Sequence, residues 1–398
     1  MSLLTLMSDK NTWEKFYNYK QNLAVKGDFI EYLRTYIDSK DYLLVCQNIK
    51  TGVPFPLPVK SIISKSGSEK KRVVYTYKEP ENTFLKCLTY LILRKYDKFF
   101  TPNLFSFRPE KTAKSGINYI LKNHHIHEKY SYKADIHNYF NSIPVSALLP
   151  KMKLFLKDDK PLYKFIKGLL LQENVIDKGI IHPEEKGIMA GTPISSFLAN
   201  IYLLDLDKYF FNKNIIYARY SDDIIVFADN YEELCSYINY IKKYLNDSLL
   251  TINPSKEEIH KPYEGFVFLG FLCTPEYIDI APVTLKKLKG KMKRKRDSLL
   301  RWSIRNSIKP ESAAKAFIRV FNRKLLECND DNKLSWSKWF FPVITTTKSL
   351  HEIDLYAQDC IRVIISRTHK KSKYNVKYEK IKELEYKSLV NEYYKSTR

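Results

Sequence analysis

Cysteine is scarce in this sequence, and long apolar runs are missing. The cysteines form no Cys-x-x-Cys motif and stand scattered at positions 46, 87, 235, 273, 328 and 360. This scatter suggests neither a zinc ribbon nor a disulfide framework, so we expect a reduced, cytoplasmic protein. No apolar stretch approaches the length of a membrane span, and residues 1–7 lack the basic region of a signal peptide. We therefore expect neither membrane insertion nor export.

Acidic residues are also few relative to basic ones. The 398 residues include 67 Lys and Arg against 44 Asp and Glu, which gives a formal net charge of +23. This excess favours a polyanionic partner, and an aromatic content of 14%, with 30 Tyr, supplies flat faces on which bases could stack. A basic enzyme whose lysines only maintain solubility is the alternative. Nucleic acid is the partner class that the composition favours.

Two β-prone runs surround a pair of carboxylates in the segment 215–228. Asp222 and Asp223 stand at its centre, so the segment predicts a hairpin whose apolar residues fix the turn on a packed sheet. Adjacent carboxylates on a rigid turn suit hard cations such as Mg²⁺, which keep positions for water and phosphates. The alternative is an ordinary turn with solvated side chains.

A third carboxylate, Asp135, is predicted at the end of a strand that begins near residue 132. Beside the Asp-Asp turn, it would complete the arrangement that two-metal phosphoryl transfer requires. Phe140 follows shortly after and is expected under the incoming sugar, with ordinary core packing as its alternative interpretation.

Basic and glycine-containing segments supply candidate contacts to a nucleotide. Strands at 61–64 and 72–77, joined by a basic turn, predict a hairpin on which Lys71 and Arg72 could bind phosphates. A solvated charged turn is the alternative there. Arg108, in the loop before Pro109, is a second candidate triphosphate ligand. Gly191 lies in a loop before an apolar helix and would let the backbone approach a ligand closely.

The order of the predicted elements indicates an α+β fold. Strand, helix, helix, hairpin, helix and strand follow one another, as in a split βαβ antiparallel sheet with helices on one face. The last strand is predicted over 250–259, with Lys256 beside its turn, and residues 144–186 are predicted as helices with a short polar insert. From about residue 276 the chain is basic and helical, and its densest run, 286–296, could follow a phosphate backbone.

Six motifs, in this order, give the chain a resemblance to the reverse transcriptases of bacteria, a group that includes group II intron, retron and defence-associated enzymes. They are Phe-Arg-Pro at 107–109, the segment 135–140, the segment 191–200, Tyr-Ser-Asp-Asp at 220–223, the segment 253–256 and Phe-Leu-Gly at 268–270. The resemblance covers about residues 60–275 and continues more weakly to the C-terminus.

The resemblance implies a right-hand polymerase fold. An N-terminal helical layer and fingers would occupy residues 1–115, a palm residues 116–275 and a basic helical thumb residues 276–398. It also implies that two Mg²⁺ ions, with Mn²⁺ as an alternative, are held by three catalytic carboxylates: Asp135, Asp222 and Asp223.

The remaining site residues are likewise implied by the resemblance. Arg72 and Arg108 would clamp the triphosphate near Gly191, and Phe140 would exclude a ribose 2′-hydroxyl. Lys256 would neutralise or protonate the leaving pyrophosphate. The primer end would be held by Phe268, Leu269 and Gly270.

The absence of sequence signatures of the other branches favours a defence-associated enzyme. No HNH or RNase H segment follows the thumb, and the Asn-Ala-x-x-His and Val-Thr-Gly signatures of retron enzymes are absent. What remains resembles the compact defence-associated enzymes, which work with a small noncoding RNA and act against phage. We therefore expect synthesis of DNA on a noncoding RNA template from deoxynucleoside triphosphates. A second copy of the chain or an accessory defence protein is a further candidate partner.

Three other activities stay open at the level of the sequence. Ile194 stands where many relatives carry Gln, which admits template-independent synthesis. Tyr393 and Tyr394 near the C-terminus are candidate hydroxyls for protein priming. A noncatalytic RNA-binding or maturase-like protein is the third alternative, although clustered acids would only repel an anionic ligand.

Overall fold

The computed structural model describes residues 1–23, 27–64, 71–327, 336–368 and 376–397. These residues form two compact units, the first ending at Glu264 and the second beginning at Gly265. The basic turn is predicted over residues 65–71; residues 65–70 lie outside the described residues, and Lys71 is the first residue of the second strand. The division into fingers, palm and thumb at residues 115 and 275 stays a prediction.

The helices of the first unit have 4 to 17 residues, and the longer ones bury apolar side chains on one face. They are α1 (Leu3–Leu6), α2 (Lys10–Asn22), α3 (Gly27–Asp38), α4 (Tyr42–Thr51), α5 (Glu81–Tyr96), α6 (Ala113–Leu121), α7 (Tyr139–Ser142), α8 (Val145–Phe155), α9 (Lys160–Leu170), α10 (Ser195–Tyr202), α11 (Leu204–Asn212) and α12 (Tyr231–Asp247). Capping side chains fix several of their starts. Asp159 accepts a hydrogen bond from the N–H of Leu162 in α9, and Asn230 accepts one from the N–H of Glu233 in α12.

The strands of the first unit form two sheets. They are β1 (Val59–Ser64), β2 (Lys71–Thr76), β3 (Tyr130–Asp135), β4 (Asn174–Asp177), β5 (Ile180–Pro183), β6 (Tyr217–Tyr220), β7 (Asp223–Ala228) and β8 (Glu258–His260). The first sheet has the order β2-β1-β4-β5, and the second has the order β6-β7-β3-β8. We call the second the palm sheet.

The palm sheet is antiparallel throughout, as the sequence predicts. Its central strand β7 is apolar and buried from Ile224 to Ala228, and α12 packs against β7 and β3. Burial of this strand fixes the register, because a slip by one residue would turn its apolar side chains to the opposite face. The predicted α+β fold is therefore confirmed.

Two segments differ from the sequence-based expectation. Residues 174–183 form the hairpin β4–β5 within a region predicted as helices with a polar insert, and β4 runs parallel to β1. The strand predicted over 250–259 is interrupted: Ile252 forms a single β-bridge with Ile136, a 3₁₀ turn follows at Pro254–Lys256, and β8 begins only at Glu258. Proline has no N–H to donate to a strand, and the side chain of Asn253 accepts a hydrogen bond from the N–H of Ser255, which favours the turn.

The second unit combines a small antiparallel sheet with helices. Its strands are β9 (Phe266–Phe268), β10 (Phe271–Cys273) and β11 (Ile278–Ile280), and its helices are α13 (Pro282–Arg305), α14 (Pro310–Leu325), α15 (Trp336–Phe340), α16 (Lys348–Ser366), α17 (Tyr378–Glu383) and α18 (Leu389–Thr397). α13, α14 and α16 pack against one another around buried side chains that include Phe317 and Ile353. Among the described residues of the whole chain, no helix is both long and apolar enough to cross a membrane.

Candidate active site

The end of β3 and the turn between β6 and β7 lie side by side on the palm sheet. Asp135, the last residue of β3, pairs with Asp223, the first residue of β7. The N–H of Ile136 donates a hydrogen bond to the carbonyl oxygen of Asp222 at 3.0 Å. The sheet thus places three carboxylates, from two separate parts of the sequence, along the same edge. That of Asp135 is buried, and those of Asp222 and Asp223 are half-buried.

Ser221 shapes the turn that carries the acidic pair. Its φ of +61° lies in the left-handed region, which costs a residue with a side chain roughly 1–2 kcal/mol. The surrounding structure holds it there, because its N–H donates a hydrogen bond to the buried hydroxyl of Ser106 at 2.8 Å. Ser106 is itself bonded through its hydroxyl and its carbonyl to the buried amide of Asn200.

A buried ion pair lies beneath the same turn. The Arg219 guanidinium donates to both carboxylate oxygens of Asp207, at 2.7 and 2.5 Å, and both side chains are fully buried. A further N–H of Arg219 donates to the carbonyl of Ser221 at 3.2 Å. Burial alone would lower the pKa of Arg219, but the Asp207 carboxylate outweighs it and the pKa is raised. The guanidinium therefore stays charged and connects α11 to the acidic turn.

The carboxyls of the turn carry strongly perturbed protonation equilibria. Burial raises the pKa of Asp223 to about 7, and the neighbouring charges of Asp222 and Asp135 add to the rise. The pKa of Asp222 is also raised, first by burial and then by the charge of Asp135. Like charges held close together in a low-dielectric site disfavour simultaneous ionisation. A positive charge bound at this site would therefore stabilise the ionised carboxylates.

Lys256 supplies one positive charge to the site. Its ammonium group forms an ion pair with the Asp135 carboxylate, although its side chain is 42% exposed. Among the described residues, no three His, Cys, Asp or Glu side chains are gathered closely enough to form a ready metal site. The donors nevertheless fit Mg²⁺ in kind, because hard cations prefer carboxylate oxygen and would relieve the repulsion that raises these pKa values.

Phe140 lies on the short helix α7, which begins four residues after Asp135. Its carbonyl accepts a hydrogen bond from Ile188 at 3.0 Å. Asn141 connects this helix to β2 and to the 187–191 loop, because its amide donates to the carbonyl of Val73 and accepts from the N–H of Ala190. Gly191 has a φ of +102°, and a Cβ there would lie 3.0 Å from the carbonyl oxygen of Tyr75. The structure therefore brings Phe140 and Gly191 together through Asn141.

Arg108 takes a position different from the one implied by the resemblance. Its guanidinium donates five hydrogen bonds, to the carboxylate and carbonyl of Asp97 and to the carbonyls of Thr101 and Leu104. Its side chain is only 6% exposed. All the N–H donors of the group are used, so Arg108 ties the loop of residues 97–108 together and offers no donor to a triphosphate. A phosphate contact of Arg108 stays a prediction, and it would require the guanidinium to release some of these hydrogen bonds.

Arg72 lies on β2, an edge strand of the first sheet, opposite Ile63 of β1. Its side chain and that of Lys71 are exposed. The same strand contacts the predicted nucleotide site further along, because the N–H of Tyr75 donates to the carbonyl of Ala190 at 2.7 Å. Arg72 therefore stays a predicted phosphate ligand on the strand that borders Gly191.

The predicted primer-binding residues belong to the second unit. Phe268 ends β9, and Leu269 and Gly270 form the tight turn into β10 with φ values of +51° and +86°. The indole N–H of Trp339 donates to the carbonyl of Leu269 at 3.2 Å. A Cβ at position 270 would lie 3.3 Å from the hydroxyl oxygen of Thr284, so the turn leaves little space for any residue except glycine. Their contact with a primer stays a prediction.

Residues 63–273, more than half of the chain, match the family model described as reverse transcriptase (RNA-dependent DNA polymerase). The chain belongs to the reverse transcriptase family. The predicted family is therefore confirmed. The matched residues extend from β1 to β10 and include every residue that we have placed at the acidic edge.

Curated relatives of this reverse transcriptase include proteins encoded by introns. The group II intron-encoded protein LtrA of Lactococcus lactis subsp. cremoris is 26% identical over 205 residues, which is 50% of this chain and 33% of LtrA. The putative COX1/OXI3 intron 2 protein of Saccharomyces cerevisiae is 23% identical over 287 residues, 57% of this chain and 32% of that protein. The chain thus spans about a third of the length of these relatives.

Similar solved structures include fungal telomerases. Apo telomerase from Candida tropicalis has a TM-score of 0.45 at 13% identity, covering 82% of this chain and 68% of that chain. Telomerase from Candida albicans, in complex with a TWJ fragment of telomeric RNA, has a TM-score of 0.42 at 12% identity, covering 89% and 68%.

Several residues that shape the site are absent from the sequence-based prediction. These residues hold the backbone around the site by hydrogen bonds and are not in the motifs that contain the catalytic carboxylates. They are Asp207, Arg219, Ser106 and Asn141. Only Arg219 could have been noticed in the sequence, because it is a charged residue within the apolar run that forms β6. Charges in such positions are paired when buried.

Proposed function

We propose that this reverse transcriptase is an active RNA-directed DNA polymerase, which extends a 3′-hydroxyl with deoxynucleotides by nucleotidyl transfer. The observation that carries the proposal is the pairing of Asp135 with Asp223 across the palm sheet, which brings Asp222 and Lys256 to the same edge. A protein that only bound RNA would gain nothing from three carboxylates repelling an anionic ligand.

The proposal assigns the divalent cations to the acidic edge. Asp135, Asp222 and Asp223 would hold two Mg²⁺ ions, or Mn²⁺ as an alternative. Such ions supply activation of the attacking hydroxyl and stabilisation of the leaving pyrophosphate. The ammonium of Lys256 lies beside Asp135 on a turn that exposes part of its side chain, so it can exchange this partner for the pyrophosphate. Lys256 would then neutralise or protonate the leaving group.

The nucleotide would lie between the acidic edge and β2. Phe140 would exclude the ribose 2′-hydroxyl, Gly191 would let the backbone approach the nascent pair, and Arg72 would bind the triphosphate. Phe268 to Gly270 would hold the primer end. Exposed basic side chains of α13, which include Lys287 and Lys291, would contact the nucleic acid backbone.

Primer extension tests the catalytic part of the proposal. The purified chain is given an RNA template, a DNA primer, deoxynucleoside triphosphates and Mg²⁺. We expect extension by the wild type, none by Asp222→Ala, and normal extension by Asp247→Ala. Asp247 is a matched control because it is an exposed aspartate at the end of α12. Equal extension by the wild type and Asp222→Ala would contradict the assignment of the acidic turn.

We further propose that the template is a noncoding RNA and that the reaction acts in antiphage defence in the cytoplasm. These finer assignments are supported by the resemblance to compact defence-associated enzymes and by the net charge of +23. RNA and DNA recovered with the protein from cells would be sequenced for the wild type and Asp222→Ala. We expect one RNA in both samples and complementary DNA only with the wild type. Phage protection should be lost in Asp222→Ala at equal expression.

The same samples separate the alternatives. DNA unrelated to any bound RNA would favour template-independent synthesis, and a nucleotide covalently attached to a Tyr, Ser or Thr would favour protein priming. Phage protection that persists in Asp222→Ala would favour a noncatalytic RNA-binding or maturase-like protein. Size measurement of the purified complex would detect a second copy or an accessory defence protein.

A further inference from the structure

One loop contacts both halves of the proposed active site. Residues 103–105 run beside β6, where the N–H of Arg219 donates to the carbonyl of Asn103 and the N–H of Phe105 donates to the carbonyl of Arg219, each at 3.0 Å. The hydroxyl of Ser106 then bonds the N–H of Ser221 in the acidic turn. The next residue, Phe107, meets Phe140 with ring centroids 6.1 Å apart and ring planes at 81°.

Phe107 is held in a conformation that its side chain disfavours. Its φ of +55° lies in the left-handed region, and the residue is 39% exposed, so burial does not fully explain its position. The adjacent Arg108 fixes the loop with its five hydrogen bonds. Non-glycine residues in this backbone region cluster at functional sites, where the surrounding structure holds them in place.

The contact between the two rings is directional. Aromatic rings prefer edge-to-face or offset arrangements, so the edge-to-face pair restricts the tilt of the Phe140 ring. The Phe140 ring also contacts that of Tyr139, with centroids 5.6 Å apart and planes at 64°, and the Tyr139 hydroxyl donates a hydrogen bond to the carbonyl of Ala199. Phe140 thus contacts both a buried ring and a partly exposed one.

We propose that Phe107 is a specificity-determining residue, which positions the Phe140 ring so that it rejects ribonucleotides. This inference rests on the proposed function, because it deepens the role assigned there to Phe140. Without the Phe107 ring, Phe140 can tilt away from the sugar, and a 2′-hydroxyl then meets less steric resistance. The loop that positions the acidic turn would in this way also set the choice of sugar.

The test is the ratio of kcat/KM for a deoxynucleotide to that for the matching ribonucleotide, measured by single-nucleotide incorporation. Phe107→Gly removes the ring and suits the positive φ. We expect it to lower the ratio about tenfold, as the loss of one apolar contact in a selective pocket does. Phe107→Tyr keeps the ring and should stay within about twofold of the wild type. Phe211→Ala is the matched control, because Phe211 of α11 is also 39% exposed.

A double variant separates a direct effect from a positioning one. If Phe107 acts through Phe140, Phe107→Gly combined with Phe140→Ala should give the same ratio as Phe140→Ala alone. An unchanged ratio in Phe107→Gly, with a lowered ratio in Phe140→Ala, overturns the inference. If Phe107→Gly has a lowered melting temperature, Phe107→Leu provides the same comparison, since it fills space without an aromatic ring.

Failure of the proposed function would look different. A wild-type protein that incorporates no deoxynucleotide would contradict the polymerase itself. Incorporation with the same sugar ratio in the wild type and Phe140→Ala would overturn the role of both rings and leave the polymerase intact.

Discussion

The fold disfavours the ionised form of the Asp223 carboxyl, because the group is buried beside Asp222 and Asp135. Its pKa of about 7, against an ordinary value of 3.8, means that the folded state keeps a proton which the unfolded state has released between roughly pH 4 and pH 7. Without a bound cation, the free energy of unfolding therefore falls as the pH rises through this window. Asp223→Asn should raise the melting temperature at pH 8 by about 2–4 °C, and by less at pH 5.

Thermal unfolding in a chelator is the measurement for Asp223→Asn. If Asp223→Asn changes the melting temperature equally at pH 5 and pH 8, the raised pKa of Asp223 is contradicted.

The raised pKa of Asp223 also predicts that the rate of primer extension rises with pH through about 7 at low Mg²⁺. A higher Mg²⁺ concentration should move this midpoint to lower pH, because bound cations favour the ionised form.

Arg219 supports the acidic turn through an ion pair that water does not reach. Arg219→Met leaves the buried Asp207 carboxylate with the hydrogen bond from the Tyr217 hydroxyl but without its cation, so we expect it to lower the free energy of unfolding by about 3–5 kcal/mol. Asp207→Leu combined with Arg219→Met should recover much of this loss, because an apolar pair replaces an ionic one. Extension activity should stay low in both, since the carbonyl of Ser221 has lost its donor. Urea unfolding and primer extension together test this.

At the scale of elements, the loop of residues 97–108 allows a direct choice between two roles for Arg108. Lysine cannot reproduce five hydrogen bonds in a planar array. If Arg108 holds the loop, Arg108→Lys should lower the free energy of unfolding by about 2 kcal/mol with little change in the KM for deoxynucleotides. A ligand of the triphosphate would show the reverse pattern. Arg72→Ala provides that comparison, with an expected rise in KM and unchanged stability.

Local patterns explain which elements could be predicted. The strands around Asp222 were predictable because apolar residues surround an acidic turn, and the helices because their apolar residues repeat with helical spacing. The hairpin β4–β5 was not, since its strands have only four residues each and β4 pairs with β1 from far earlier in the chain. The hydrogen bonds of Arg108 could not be predicted for a related reason. A sequence shows an arginine beside a proline, but not the carbonyl groups that surround it after folding.

The charge of the whole molecule predicts a strong dependence of nucleic acid affinity on salt. Neutralising phosphates releases bound counterions, so the logarithm of the affinity should fall linearly with the logarithm of the salt concentration. Lys287→Gln combined with Lys291→Gln, on exposed positions of α13, should reduce this slope by about 2 and weaken all sequences equally. Lys380→Gln with Lys382→Gln on α17 is the control with the same change in charge. Equal slopes for the two double variants would contradict a nucleic acid surface on α13.

The ion pair between Arg219 and Asp207 gives the molecule a second electrostatic system, one that dissolved ions cannot reach. Salt weakens interactions between exposed charges but hardly affects fully buried ones. Concentrated salt should therefore strip nucleic acid from the basic surface while the acidic turn keeps its shape. Inhibition by salt is then reversible, and activity should return at once on dilution, without a refolding delay.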